Sequence, residues 1–146
     1  MYREEVEYMM GSPEKSAKML GIVLLLVGVL GFIPGITSNG VLLGIFDADP
    51  LQNVVHIVAG ALLVWVAKAG TAKVMNMVKV LAVVYSVATV LGFVTGYGLL
   101  VAMPTTMADN VLHLVVAALL LWMWFGKKDN AMSSSMPPST GSGQAM

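Results

Sequence analysis

The sequence predicts an all-α, polytopic membrane protein: a four-transmembrane-helix bundle built from two parallel two-helix repeats. Three observations predict it. Hydrophobic residues fill 58% of the 146 positions and charged ones only 11%, whereas soluble domains run at about 45–50% apolar and about 25% charged; the mean hydropathy is +0.83. Apolar runs of about 17–24 residues recur along the chain, enough at about 1.5 Å per residue to cross a hydrocarbon core of about 30 Å. The chain also repeats itself. Asn53-Val54-Val55-His56 returns as Asn110-Val111-Leu112-His113, and Gly31-Phe32-Ile33-Pro34-Gly35 returns as Gly92-Phe93-Val94-Thr95-Gly96. Trp65 follows His56 at the same distance as Trp122 follows His113.

Residues 1–11 mix acids with apolar positions and read as a cytoplasmic N-terminal segment, either a short interfacial helix or a frayed end. Ser12-Pro13 has the form of an N-cap and first helical residue, opening the transmembrane domain of residues 12–128. The first helix carries Lys15 and Lys18 into the apolar run Met19–Ile33 and stops at Pro34-Gly35. A cleaved signal peptide fits this run poorly: its leader is acidic, no small-x-small site follows, and three more apolar segments come after it. Residues 36–48 form an outer loop whose apolar patch, Val41–Phe46, is expected on the membrane surface or tucked into the bundle.

Asp49-Pro50-Leu51-Gln52 opens the second helix with a capping-box arrangement, Asp49 as N-cap and Gln52 at the third position. That helix is expected to reach about Ala67. A tight turn through Gly70 leads to a third helix over about 74–97, and a second outer loop holds Pro104. Thr106 and Asp109 form the next capping box, starting a fourth helix that ends at Gly126-Lys127-Lys128. Repeat one is 19–67 and repeat two 80–124. Residues 129–146, rich in Ser, Gly and Pro, are expected to form a disordered cytoplasmic tail.

Charge sets the orientation. All eight Lys and Arg residues fall at the N-terminus, around the turn between helices two and three, or at the C-terminal end. The other two loops hold Asp47, Asp49 and Asp109 with no cation, so the positive-inside rule places both termini in the cytoplasm. Trp65, Trp122 and Trp124 then fall at the inner interface, where an aromatic belt belongs. Zero net charge and the lack of a basic stripe with interleaved aromatics argue against nucleic acid. There is no cysteine, hence no disulfide frame or thiolate ligand.

On a helix, Asn53, His56 and Gly60 share one face, as do Asn110, His113 and Ala117, while each Trp lies about 180° from its His. The Asn/His/small face is expected to look into the bundle and the Trp face toward lipid. Intramembrane imidazoles are candidates for metal or haem ligation or for proton relay. The alternative is hydrogen-bonded glue between helices, worth about 0.6 kcal/mol per bond, with each ring in reach of a polar group on another helix or a buried water. Asp49 and Asp109 already serve as caps, which weakens a His₂-carboxylate metal site built on His56 and His113. Gly31-x-x-x-Gly35, Gly92-x-x-x-Gly96 and Gly60 read as helix-packing glycines. Tyr85 and Ser86 have no evident base beside them, so no nucleophile-base-acid set forms; Ser86 is expected to bond its own helix's carbonyl.

Leu30-Gly31-Phe32-Ile33-Pro34-Gly35, Leu43-Gly44-Ile45-Phe46 and Asn53-Val54-Val55-His56 with Gly60 resemble the DUF4383 family of small bacterial four-helix membrane proteins. The resemblance covers roughly residues 18–126 and lies in order and spacing. The family pattern has Asn at the place of Asp49 and His at that of Gln52, so this chain departs from the signature at both positions. The resemblance implies a fold, an Asn/His signature and an inner-membrane address, and no assigned activity. Together these readings predict a non-enzymatic, multi-pass inner-membrane protein without a cofactor. Its expected role is that of a structural or accessory subunit touching lipid and other membrane proteins. The alternative is a small transporter or a cofactor or metal carrier using His56 and His113.

Overall fold

Local chemistry starts each helix. The structure is a computed structural model that describes residues 11–98 and 103–133, with side chains as far as Gly126. Helix α1 (Pro13–Leu30) begins where the Ser12 side chain accepts from the Lys15 N–H, with Pro13 at the first position and Glu14 in the first turn. It ends sooner than the apolar run, because the backbone tightens at Phe32 and Ile33 and Pro34 cannot continue it. Helix α2 (Pro50–Val66) starts at Asp49, whose Oδ1 accepts from Leu51 N at 2.8 Å and Gln52 N at 3.2 Å. Helix α3 (Thr71–Thr95) begins directly after Gly70, earlier than residue 74, and stops at Gly96 in the left-handed conformation (φ 73°). Helix α4 (Met107–Ser133) runs past the expected end at Gly126–Lys128, so the segment expected to be a tail is helical up to Ser133. The tail from residue 134, the N-terminal segment before Gly11 and loop residues 99–102 lie outside the described residues.

The loop joining α1 to α2 contains a feature the sequence reading missed. Strands β1 (Thr37–Ser38), β2 (Val41–Leu42) and β3 (Phe46–Asp47) form an antiparallel meander in the order β1-β2-β3. Its first turn is Asn39-Gly40, both at positive φ (51° and 77°), the pair that matches the twist of a two-residue hairpin. Of the patch Val41–Phe46, Leu42 is buried while Leu43 and Ile45 are exposed.

The helices pack as two pairs. Helices α1 and α2 lie against each other along their length, as do α3 and α4, and contacts between the pairs are sparse. The core is divided along the bundle axis. Toward the α2–α3 turn it is apolar and tight, with Ala17, Leu63, Val74, Val78, Ala82 and Leu120 wholly buried. Toward the loops it is polar: Gln52, Asn53, His56, Thr89, Asp109, Asn110 and His113 are all buried there. Much of the outer surface is apolar, including Val23, Leu26, Val58, Trp65, Val83, Val94 and Trp122. The α3 helix and the α4 segment Met107–Gly126 are both long and apolar enough to cross a membrane.

Candidate functional site

Two glycine–asparagine contacts hold the polar end of the bundle together. A β-carbon on Gly31 would collide with the Asn53 side chain, and one on Gly92 with the Asn110 side chain. The repeated Gly-Phe-x-x-Gly and Asn-x-x-His motifs are therefore two halves of one contact, made once in each helix pair. Two further glycines, absent from the sequence reading, let α1 and α2 touch. A β-carbon at Gly21 would lie 2.8 Å from the Gly60 carbonyl oxygen, and one at Gly28 would lie 2.7 Å from the Asn53 carbonyl oxygen. The spacing Ala17-x-x-x-Gly21 was their available signal. Gly60 does pack, its own β-carbon position lying 2.6 Å from the Gly21 carbonyl oxygen.

The assignment of Gly35 and Gly96 to helix packing is corrected. Neither has a neighbour within 4 Å of its β-carbon position, and both have positive φ (97° and 73°). Gly96 ends α3 and Gly35 sits in the turn leading into β1, both in a conformation that L-residues with a β-carbon adopt at a cost. In sequence, a glycine four residues on looks the same whether the helix continues or has just ended.

The caps also divide into two kinds. Asp49 serves its own helix. Asp109 is buried at 2% exposure, and its Oδ2 accepts from Thr106 N at 2.8 Å, Thr106 Oγ1 at 2.7 Å and Asp47 N at 3.0 Å. The Asp109 N–H donates in turn to Thr106 Oγ1 at 3.2 Å. The Thr106–Asp109 box thus fastens the meander of the first loop to the start of α4. The Asp47 carboxyl nearby is pushed above its ordinary value of 3.8, first by burial and then by the negative charges of Asp109 and Asp49. Asn53 Nδ2 donates to the Ala48 carbonyl at 3.3 Å, while Asn110 Oδ1 is buried without a hydrogen-bond partner among the described residues.

Between these fastenings the two histidines meet. His56 on α2 and His113 on α4 pack edge to face with ring centroids 6.0 Å apart and planes at 68°. Tyr85 on α3 lies edge-on to His113 at 5.7 Å. All three line one cavity of about 270 Å³, with Gln52, Val55, Val84, Ala88, Gly98 and Met103. Gln52, read from sequence as a cap residue, contributes its backbone N–H to the cap and also forms part of this wall.

Of the two partners expected for the imidazoles, a polar group on another helix or a buried water, the first is not supplied to either Nδ1 by the described residues. His56 Nδ1, His113 Nδ1 and the Tyr85 hydroxyl are buried with no hydrogen-bond partner among the described residues. Ser86 Oγ is likewise buried and unpartnered, so the expected bond to its own helix is absent; Thr89 makes that bond instead, Oγ1 to the Tyr85 carbonyl at 2.7 Å. Among the described residues no three His, Cys, Asp or Glu side chains gather as a metal-binding group. The chemistry on offer is hydrogen bonding from neutral, two-way groups, since an imidazole and a phenol can each donate or accept.

In the sequence Tyr85 has no base beside it. Its role in the wall follows only from the docking of α3 beside α4, which spacing along one helix does not reveal. Trp65, opposite His56 on α2, is 65% exposed as the helical geometry predicts, and Trp122 faces outward likewise.

The chain matches no curated protein and no solved structure. Residues 15–125 match the family described as a domain of unknown function, DUF4383. With most of its length, including both Gly–Asn contacts and both histidines, inside that match, the chain belongs to the DUF4383 family.

Proposed function

We propose that this is a multi-pass protein of the inner (plasma) membrane that carries a small uncharged molecule in the polar end of its bundle, by binding and without catalysis. Four spans, both termini cytoplasmic and two parallel repeats related by a pseudo-twofold along the membrane normal complete this reading. The 18 residues of α1 rise about 27 Å, close to the about 30 Å of a hydrocarbon core, and Lys15 and Lys18 near its start are long enough to reach the interface. The repeated Gly–Asn contact supports the duplication.

One observation carries the binding reading: His56, His113 and Tyr85, each with a buried polar atom that has no partner among the described residues, line one cavity. Each such group costs about 1–3 kcal/mol when left unpaired, and Leu or Phe would fill the space without that cost. Cost of this kind, retained in a core, is the mark of a site kept for binding. A purely lateral accessory role leaves the cavity unexplained.

The test is purification of the full chain in mild detergent, followed by mass spectrometry of an organic extract, visible absorption and metal analysis of one sample. The expected result is a small molecule retained near one per chain and lost from His56→Leu and His113→Leu. Both variants should keep their helical circular dichroism and melt no lower than the unliganded parent, because an apolar side chain removes an unpaired polar atom. Protein free of any small molecule yet held stoichiometrically by a larger membrane complex would replace the carrier with an accessory subunit. For orientation, Ser38→Cys should react with an impermeant maleimide in intact cells and Ser134→Cys only after lysis. The reverse pattern would invert the topology.

A further inference from the structure

The wall of the cavity is apolar almost throughout. The Nδ1 atoms of His56 and His113 and the Tyr85 hydroxyl are fully buried and give the cavity no surface, so these residues turn ring carbon toward it. Ala88 and Met103 line it as well, and none of the described lining residues is charged. Exposure along the wall is uneven. Of the described lining residues only two reach the outside: Val55, 39% exposed on α2, and Val84, half-buried on α3. The mouth therefore lies in the seam between α2 and α3, where the two helix pairs touch sparsely. One turn along each helix stand Val58 and Val87, both exposed.

Depth sets what meets that mouth. Val55 lies five residues into α2, and Val84 lies eleven residues before the end of α3. At about 1.5 Å per residue these are about 8 Å and about 16 Å from the loop end. On the reading of the chain as a membrane bundle, the mouth opens on hydrocarbon. A polar molecule would give up its hydration here and gain no partner. An apolar cavity of about 150 Å³ stays dry and admits benzene; this one, at about 270 Å³, has room for a longer apolar segment. Left empty, it would deprive its lining of contacts on one side. Alkyl chains are what the surrounding layer supplies.

We infer that the cavity is a hydrocarbon site, filled by the end of an alkyl chain that enters sideways from the bilayer between Val55 and Val84. The chain packs on Ala88, Met103 and the ring carbons of His56, His113 and Tyr85, and any polar head it carries stays outside the mouth. This deepens the binding proposal above and rests on that reading's placement of the bundle in the membrane. The shared chemistry is the alkyl chain, whether it belongs to a bilayer lipid or to a free uncharged amphiphile.

The experiment uses the full chain in nanodiscs, deuterated except at its Ala, Val, Leu and Met methyl groups, and reads nuclear Overhauser contacts from those methyls. One preparation has lipid with protonated tails; the other has deuterated lipid with protonated 1-decanol added. The Ala88 and Met103 methyls should contact chain methylenes in at least one preparation, as the exposed Val58 methyls do. The methyls of Leu63, Val78 and Leu120, buried outside the cavity, should show no such contact. Val55→Trp, which plugs the mouth, should erase the contacts at Ala88 and Met103 while those at Val58 persist. Ala88→Leu, which fills the cavity from within, should erase the contacts at Met103.

Contacts from Ala88 and Met103 to water alone, contacts to neither water nor chain, or chain contacts that survive both substitutions would overturn the proposal. Contacts to lipid tails name a bilayer lipid as the source, and contacts to decanol a free amphiphile; either supports the site. If chain contacts are absent while a polar molecule co-purifies, the alkyl class is wrong and the binding proposal stands. If they come from lipid tails alone and nothing else co-purifies, the hydrocarbon site stands and the carrier of a small molecule falls.

Discussion

The two helix pairs share one plan and use it differently. Each has a glycine that receives an asparagine, Gly31 with Asn53 and Gly92 with Asn110, and each places a histidine one turn further on, facing the other pair. In the first pair the capping aspartate, Asp49, attends to its own helix and Asn53 bonds within its own half. In the second pair the capping aspartate, Asp109, reaches across to the other half, and Asn110 Oδ1 has no partner among the described residues. Seven residues before the repeated glycine, the first pair has buried Leu24 and the second has Tyr85. The first half is thus finished internally, whereas the second supplies both the fastening between halves and most of the unpaired polar atoms. The matching Gly–Asn contacts are common to both pairs, and the differences at a few positions set the polar end apart.

The largest expected difference lies between the two aspartates. Asp109→Ala should cost about 3 kcal/mol, since it strips a cap and leaves half-buried donors of Thr106 and Asp47 without their acceptor. Asp49→Ala should cost about 1 kcal/mol, the ordinary worth of an N-cap. Denaturant unfolding in detergent reads both, and equal losses would erase the asymmetry. Next come the glycines of the contact. Gly31→Ala and Gly92→Ala should each lose about 1–3 kcal/mol by overpacking. Shortening the matching asparagine should relieve each, and shortening the asparagine of the other half should not, a coupling that a double-mutant cycle isolates. Asn53→Ala alone should cost more than Asn110→Ala, because only Asn53 gives up a hydrogen bond.

Smaller again, Gly35→Ala and Gly96→Ala should cost about 1 kcal/mol through backbone strain, with no sensitivity to either asparagine. The smallest effect concerns Asp47. Its raised pKa means that the folded state holds the proton more tightly than the unfolded one. The stability this gives is complete below the ordinary 3.8 and is lost as pH rises through the folded value. Asp47→Asn should therefore raise the melting temperature at neutral pH, and the gain should fade as the pH falls toward 3.8. A melting-temperature series in pH for parent and variant checks the sign.

What could be read in advance follows from the range of each interaction. Ser12-Pro13, Asp49-Pro50 and Thr106 with Asp109 announced their helices because a cap is satisfied within four residues. The inward histidines and outward tryptophans followed from helical geometry alone. The meander is legible in Asn39-Gly40, a pair that favours a two-residue hairpin turn. The partnership of Gly31 with Asn53 was not legible, although both were singled out, because nothing within one helix sets its register against another. The same gap hid Tyr85 and Gln52 from the site. The unpaired state of the imidazoles is of this kind too: a sequence shows which groups can bond but not which are left over once the helices have docked.

The turn between α2 and α3 has one more implication, for how the chain is made. Gly70 has a positive φ of 98° and no neighbour within 4 Å of its β-carbon position, so this link serves chiefly to join two units. Each unit is a helical hairpin that satisfies its own backbone, which suits independent insertion into a bilayer before lateral docking. The fastenings between units lie at the two ends, Thr71 Oγ1 on the Glu14 carboxylate at one and Asp47 N on Asp109 at the other. On the proposed reading of the chain as a membrane bundle, a gene cut at Gly70 would yield two hairpins whose reassociation depends on these two fastenings.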